Sequence, residues 1–476
     1  MLDLENLRES VNIEGKKASN TLPKSIWETY SAFCNTLGGY IILGVEENEN
    51  GQLIPTGVDN VQSIIKDFWS IINNVQKISM NLLTDEDVII QKYNDKDIIV
   101  IHVPMAPRQY KPVYINNNLL SGTYRRDGDG DYHCSKLEIS NMLRDQSDRT
   151  QDFKIVENSS IRQIDKESLA SYRARFDKRM KNHTWSELDD EEFLYRINGM
   201  DRDKNGDLRL TEAGLLMFGY EYEIVKKFAD YILDYEEILD DSIRWTNRIK
   251  SDDMTWSGNI YDFFFRIIPL INEAFPVKFE LDKYGERISE SKASIAVREG
   301  LINCICNANF YDAYGVVIRR YPKKIIFTNS GVLRVPVEKV IKGGYSDARN
   351  KAIMKMFSLI GYSERAGSGI PQIYAVWKEN GWPEPKIIQE FNHDRTTLEL
   401  EILPVLKKTE KEMIENPYIA KIYDYMLAHD KVKSKDIAEL LNVKDARARQ
   451  LLKEMVNEDI VITIGANRNR MYMLKK

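Results

Sequence analysis

Glu299, Asn303 and Asn307 follow one another at intervals of four residues, which sets a carboxylate and two amides on one face of a helix. Further along, Gly367-x-Gly369 opens another helical segment, where backbone N–H groups without intrahelical partners can meet a phosphate. Asp201-x-Asp203-x-Asn205-Gly206-x-Leu208-x-x-x-Glu212 fits the calcium-loop pattern at every specified position. Arg209, however, stands at the ninth position, where a ligand or water belongs, and no second loop pairs with it. Calcium is therefore not expected. Cys304-x-Cys306 has neither a CxxC motif nor paired histidines beside it, so a zinc site is not expected either.

The last 60 or so residues carry a basic pattern of a different kind. A helix over 420–427 precedes one over 434–441, whose start Ser434 is placed to cap. A third, over 445–457, turns Leu451, Leu452, Met455 and Val456 inward and leaves Arg447, Arg449, Gln450 and Lys453 outward. Strands at 460–464 and 471–474 flank a turn carrying Arg468 and Arg470. Three helices and a hairpin predict a winged helix-turn-helix, with the third helix suited to the major groove and the wing arginines to phosphates or the minor groove. Lys and Arg number 12 and Asp and Glu 8 over 417–476, so this tail carries +4.

The elements that position these groups belong to a long mixed chain. At 476 residues, with 43% hydrophobic and 29% charged residues, it has room for about three domains with their own cores. The net charge of −6 excludes a protein that is basic all over, yet it averages the tail with a body at −10. The richest apolar window, 261–271, is broken by Arg266 and Pro269 and is too short to span a bilayer. The N-terminus opens on Asp3, Glu5, Arg8 and Glu9, unlike a signal peptide, and four cysteines make no disulfide framework. A cytoplasmic protein with no membrane partner is expected. A helix over 26–36 runs into a glycine-bounded strand at 38–44, and a second strand lies at 97–103. Helical segments follow at 191–197, 213–218, 293–307 and 350–359, with strands at 316–320 and 324–328. Polar runs at 144–149 and 407–411 read as linkers, predicting domains over 1–145, 150–405 and 417–476.

Two resemblances give these domains names. Glu9-Ser10, Ile13-Glu14-Gly15-Lys16 and the run Ser31-Ala-Phe-Cys-Asn-Thr-Leu-Gly-Gly-Tyr-Ile-Ile-Leu-Gly-Val-Glu-Glu47 resemble the Schlafen/AlbA-type DNA-binding domain. Its pattern is ES…EFK followed by SAFANTxGGxxxxGVxD. Val103-Pro104, Lys111-Pro-Val-Tyr114 and Gly122-Thr-Tyr-Arg-Arg126 are similar to its later strands. Here Gly15 replaces the usual Phe, and Glu46-Glu47 displace the Asp after GV. In nuclease members, the resemblance implies, three carboxylates hold a metal. Those roles fall by position to Glu9, Glu14 and Glu47, with Glu46 as the substitute. They would hold Mg²⁺ or Mn²⁺, with Lys16 orienting water or offsetting charge. The plainer alternative makes Glu14 and Lys16 a structural ion pair. Under either reading Arg108, Lys111, Arg125 and Arg126 are expected to contact phosphates.

Asp207-Leu-Arg-Leu-Thr-Glu-Ala-Gly-Leu-Leu-Met-Phe-Gly219 resembles the LTxAGLLLFG motif of RecG-related regulators. Ala296-Val-Arg-Glu-Gly-Leu-Ile-Asn303, Thr328-Asn-Ser-Gly331, Arg349-Asn350 and Gly361-Tyr-Ser-Glu-Arg-Ala-Gly-Ser-Gly-Ile370 are similar to the motifs that follow in the same family. That resemblance implies a degenerate histidine-kinase/gyrase-type (GHKL) ATP-binding fold over about 195–400. In its active members Glu299 would be the general base of ATP hydrolysis, and an Asn of the same helix would hold Mg²⁺. Asn303, Asn307, Asn329, Gly331, Gly367 and Gly369 are the corresponding nucleotide-binding candidates. The family's HRDY is Asn307-Ala-Asn-Phe310 here, which leaves binding without turnover as the alternative. The combined expectation is an α/β (α+β) multidomain protein that binds DNA as a homodimer and regulates transcription, gated by ATP or another ligand. The rival is a metal-dependent nuclease acting on RNA or single strands.

Overall fold

The computed structural model describes residues 7–240, 242–275, 291–363, 367–402, 417–429, 431–457, 460–464 and 470–474. The chain divides into two compact units, 1–402 and 403–476. The run 144–149, expected as a linker, lies within the first unit; the second expected linker, 407–411, lies outside the described residues.

The first unit opens with a four-stranded sheet of order β1-β2-β6-β5, in which β1 (Ile13–Lys16) runs parallel to β2 (Gly38–Leu43). β5 (Val88–Tyr93) and β6 (Lys96–Pro104) complete it antiparallel. One face packs on α1 (Ile26–Asn35) and α2 (Val61–Ile72) through Phe33, Ile41, Phe68 and Ile101. The other carries a smaller cluster in which Leu53, from the hairpin of β3 (Val45–Glu47) and β4 (Leu53–Pro55), packs beside Ile42 and Val45. Leu53 also accounts for Gly15. It fills the space a side chain at 15 would need, so the departure from Phe is matched by a neighbour. Gly38, at φ +76°, is required twice over, since a Cβ there would sit 2.7 Å from the Met105 amide and the Val103 carbonyl.

Asn35 explains why Ser31 to Asn35 read as a motif. Its buried amide donates to the Val113 and Tyr124 carbonyls at 2.8 and 2.9 Å and accepts from Val113 N–H at 2.8 Å. Ser31 Oγ donates to the same Val113 carbonyl at 2.7 Å. One helix end thus holds the chain entering β7 (Tyr124–Asp127) and β8 (Gly130–His133), and α3 (Lys136–Asp145) follows, capped by Ser135.

The remainder of the unit is built on a six-stranded sheet of order β12-β11-β13-β14-β16-β15. Its strands are β11 (Leu233–Glu237), β12 (Asn247–Lys250), β13 (Val316–Tyr321), β14 (Lys324–Ser330), β15 (Lys386–Glu390) and β16 (Arg395–Glu401). α9 (Lys292–Asn307) and α12 (Gly369–Glu379) pack on it, with Leu301, Ile373, Phe327 and Leu398 in the shared core. The segment resembling a calcium loop is instead an antiparallel hairpin, β9 (Met200–Arg202) to β10 (Leu208–Leu210). Arg209 bridges Asp203 and Asp207 there at 3.0 Å each, and Glu212, at the start of α6 (Glu212–Phe218), is buried and paired with Lys227 at 3.2 Å. The carboxylates the pattern would give to calcium are spent on cations.

The second unit, described by itself, has helices at Pro417–Ala428, Ser434–Leu441 and Asp445–Asn457, then an antiparallel pair, Val461–Ile464 with Met471–Leu474. Ile422, Leu451, Leu452 and Met455 form its core. Ser434 is not the cap: the helix starts on it, and Asp436 accepts the Lys433 N–H at 2.7 Å. Among the described residues no helix is long and apolar enough to cross a membrane.

Candidate functional site

α9 supplies the central candidates. Glu299, Asn303 and Asn307 face one cleft of about 870 Å³, counting space open to solvent, together with Asn329, Gly367 and Gly369. The four-residue spacing operates as the helix predicts: Asn303 Nδ2 donates to the Glu299 carbonyl at 2.9 Å and to its Oε1 at 3.1 Å, and Asn307 Nδ2 donates to the Asn303 carbonyl at 2.9 Å. Gly369, in the first turn of α12, lies so close to the Glu299 carboxylate that no Cβ fits. Glycine there lets a carboxylate approach the positive end of a helix. Asn329 is buried, with its amide donating to the Ser330 and Gly331 carbonyls at 2.8 and 3.2 Å. Gly331 does not line the cleft. At φ +93° it lies against the Arg349 guanidinium, which leaves no room for a side chain. Glu364 to Ala366, between the cleft glycines and α11 (Lys351–Leu359), fall outside the described residues.

The N-terminal carboxylates are arranged differently. Glu14 has one oxygen 2.5 Å from Lys16 Nζ and the other 2.8 Å from an Arg126 nitrogen. Glu9 accepts the Gly15 N–H at 3.0 Å; burial, then the charge of Glu14, pushes its carboxyl up. Glu47 lies exposed on β3, and Glu46 beside it pairs with Lys17 at 3.0 Å. Glu14 therefore spends both oxygens on cations. Among the described residues no three His, Cys, Asp or Glu side chains are disposed to hold a metal ion. As placed, Glu9, Glu14 and Glu47 do not fit a Mg²⁺ or Mn²⁺ centre, and Lys16 serves as an ion-pair partner.

The four basic residues expected on nucleic-acid phosphates are turned inward or paired instead. Arg126 is 1% exposed and holds Glu14, Asp131 at 3.0 Å and the Ser10 carbonyl at 2.9 Å. Arg108 is buried on Asp347 at 2.7 Å and on the carbonyls of Asp145 and Ser147 at 2.6 Å. Arg125 pairs with Glu138 at 2.8 Å and Asp127 at 3.0 Å. Lys111, also buried, donates to the Asn35 carbonyl at 2.8 Å, at the C-terminal end of α1. A guanidinium held by carboxylates and carbonyls has no free fork to offer a nucleic-acid backbone.

A set of residues the sequence did not single out joins the two sheets. Asp145, the last residue of α3, receives Arg334 and Arg349, the latter at 2.9 Å. Burial opposes ionisation, but Arg349 and Arg334 outweigh it and hold Asp145 well below the carboxylate range. Asn141 donates to Asp394 at 2.9 Å, and Gln146 to the Lys111 carbonyl at 2.7 Å. The only sequence signal was Arg349-Asn350 in a family motif; that Arg349 would reach Asp145 is not encoded in any spacing.

In the second unit Arg447, Arg449, Gln450 and Lys453 are exposed along one helix, as is Arg470 at the start of the last strand. Arg449 pairs with Asp445 one turn earlier, and Gln450 donates to Glu454 at 3.2 Å. Arg468 falls outside the described residues.

Comparison with known families divides the first unit in the same way. Residues 9–135 match the family described as Schlafen, AlbA_2, and residues 314–398 match that described as "Putative ATP-dependent DNA helicase recG C-terminal" (HATPase_c_4). The chain thus carries a Schlafen/AlbA_2 domain at its N-terminus and a recG C-terminal (HATPase_c_4) domain further on. Between those domains, residues 140–234 match a domain of unknown function (DUF8451). No curated protein matches the chain. Among solved structures, the chain is similar to the DIP2311 protein of Corynebacterium diphtheriae, at 17% identity over 98% of this chain and 92% of that one, with a TM-score of 0.41. It is also similar to the N-terminal domain of a RecG-related protein described as a putative ATP-dependent DNA helicase from Nitrosomonas europaea, at 32% identity over 27% of this chain and 86% of that one, with a TM-score of 0.22. Neither likeness fixes a residue of this chain.

Proposed function

We propose that this protein binds DNA through its second unit and regulates transcription, under the control of a nucleotide held in the central cleft. The observation that carries the reading is the row of exposed Arg447, Arg449, Gln450 and Lys453 on one helix of a small basic unit. A helix of that kind, followed by an antiparallel hairpin, has the element order of a winged helix, whose third helix reads base edges while flanking cations meet phosphates. The two matched domain families are consistent with a nucleic-acid-binding protein. One such unit reads a short half-site, so a homodimer on a two-fold site is part of the proposal.

The cleft favours a nucleotide because a carboxylate, two amides and a glycine-opened helix meet there. Glu299 would polarise water or meet Mg²⁺ through its carboxylate, and Asn303 would orient it. ATP with Mg²⁺ is the proposed ligand, and binding without hydrolysis satisfies the proposal.

The deciding experiment is fluorescence anisotropy on labelled duplex DNA across a salt series, with wild type and the double variant Arg447→Ala, Arg449→Ala. A slope of log affinity against log salt that shrinks by about 2 supports this reader. An unchanged slope removes the second unit from DNA binding. Calorimetry with ATP and Mg²⁺ addresses the cleft separately: no heat, with DNA binding intact, makes the central domain a scaffold.

A further inference from the structure

A second cavity lies where the N-terminal sheet domain, α3 and the segment after β14 meet. It holds about 670 Å³, counting space open to solvent, and its walls carry five cations against three carboxylates. Most of those charges are accounted for. Asp145 answers Arg334 and Arg349, Glu138 answers Arg125, and Arg108 is answered by Asp347. Asp394, the third carboxylate, accepts from Asn141 at 2.9 Å and from the Val332 N–H at 2.9 Å.

Two donors are left over. Lys111 is 8% exposed and, among the described residues, has no carboxylate within ion-pair distance; its ammonium donates to one carbonyl, that of Asn35. Among the described residues the buried Arg334 Nε has no acceptor. An ammonium has three donors, and a buried charge without a counter-ion is costly. Apolar surface shares the same walls, from Met105, Met142, Leu333 and Phe391.

From this arrangement we infer that the cavity between the domains is a binding site for a small phosphomonoester, its phosphate held by Lys111 and the Arg334 Nε and its apolar body seated on Met105, Met142 and Phe391. With Asp347 counted beside Arg108, the lining cations exceed their carboxylates by one, and a phosphate monoester, with nearly two negative charges at neutral pH, more than offsets that excess. Its three terminal oxygens offer an acceptor to each leftover donor with one to spare, where a carboxylate head brings two. Leu333 and Arg334 also line the Glu299 cleft, so one short segment walls both cavities. The site does not depend on the nucleotide proposal: its ligand is smaller and sits on the other side of that wall.

Burial also pushes the Lys111 ammonium down to about 8, against the pull of Cys34, Asp145, Cys134 and Asp394 around it. A phosphomonoester is already a dianion at pH 7, so raising the pH through 8 removes charge from the protein and not from the ligand. Affinity should fall across that interval.

The test is calorimetric titration of the full chain with phenyl phosphate, with inorganic phosphate and benzoate as comparisons. Expected is binding of phenyl phosphate tighter than either comparison, unaffected by saturating ATP as a competitor, and weaker at pH 9 than at pH 7. Lys111→Met should weaken it about tenfold or more, as expected on losing a charge-assisted contact. Because Lys111 also caps α1, Met142→Trp serves as the second variant; it fills the cavity from a half-buried position, and its fold is checked by thermal melting. Loss of binding in a folded Met142→Trp supports the site even if Lys111→Met fails to fold. No binding by wild type, displacement by ATP, or full binding in folded Met142→Trp overturns the proposal.

Discussion

Arg126 and Arg447 are the same residue type doing opposite work. In the N-terminal domain Arg126 is 1% exposed, wedged between Glu14 and Asp131, and helps hold the start of the fold to β7. In the second unit Arg447 stands exposed on a helix, with Arg449, also exposed, two residues further on. The first kind of arginine is fixed by its partners and cannot let go without taking a cation from Glu14 and from Asp131. Among the described residues the second has no ion-pair partner, which is what the proposed contact with a nucleic-acid phosphate requires. A basic residue in a motif is therefore no evidence of a nucleic-acid surface until its burial is known.

Breaking that contrast should cost most on the buried side. Arg126→Ala takes one of the two cations from buried Glu14 and the arginine from partly buried Asp131, and should lower unfolding stability by about 3–5 kcal/mol, read from the denaturant midpoint. The same truncation at Arg447 should stay within about 0.5 kcal/mol. If the two cost the same, the distinction collapses.

Asp145→Asn comes next, at about 2–3 kcal/mol, because it removes the charge and one of the two acceptor oxygens that face two buried guanidinium groups. Its signature lies in acid. The folded state holds Asp145 below its ordinary value, so its contribution is complete above about pH 4 and fades as the pH falls through the folded value. Wild type should lose stability between about pH 4 and 2, and Asp145→Asn should show a flatter acid limb over that range.

On the exposed side, Arg447→Ala with Arg449→Ala should weaken DNA about tenfold or more at moderate salt while the melting temperature holds. A melting shift larger than the binding loss would place these arginines with Arg126 instead. The smallest effect is expected at the β9–β10 hairpin: millimolar Ca²⁺ should leave the melting temperature unchanged, since Arg209 already holds Asp203 and Asp207. A calcium-dependent rise would show that the hairpin can trade its arginine for a metal.

Much of the local structure was legible. The helices over 191–197, 213–218, 293–307 and 350–359 appear within a residue or so of their predicted ends, because apolar periodicity records which face a helix buries. The spacing of Glu299, Asn303 and Asn307 was read correctly for the same reason. In the calcium-like run the sequence shows Arg209 at the ninth position, but that its guanidinium takes Asp203 and Asp207 is visible only in the fold. Residues 144–149 read as a linker from their polarity. Asp145 is polar because it is the counter-ion for Arg334 and Arg349, some 200 positions away in sequence but adjacent in space.

By itself, then, the sequence determined what nearest neighbours along the chain control: helix and strand positions, the glycines at tight approaches, the inward and outward faces of the third helix in the second unit, and the convergence of α9 on one cleft. The tertiary structure decided which charges are spent. An ion pair depends on distance between side chains that the fold brings together, and on how much water the surrounding core excludes. That is why Glu14 and Arg126 became partners rather than a metal ligand and a phosphate contact, and why Lys111 was left beside a cavity with donors unfilled.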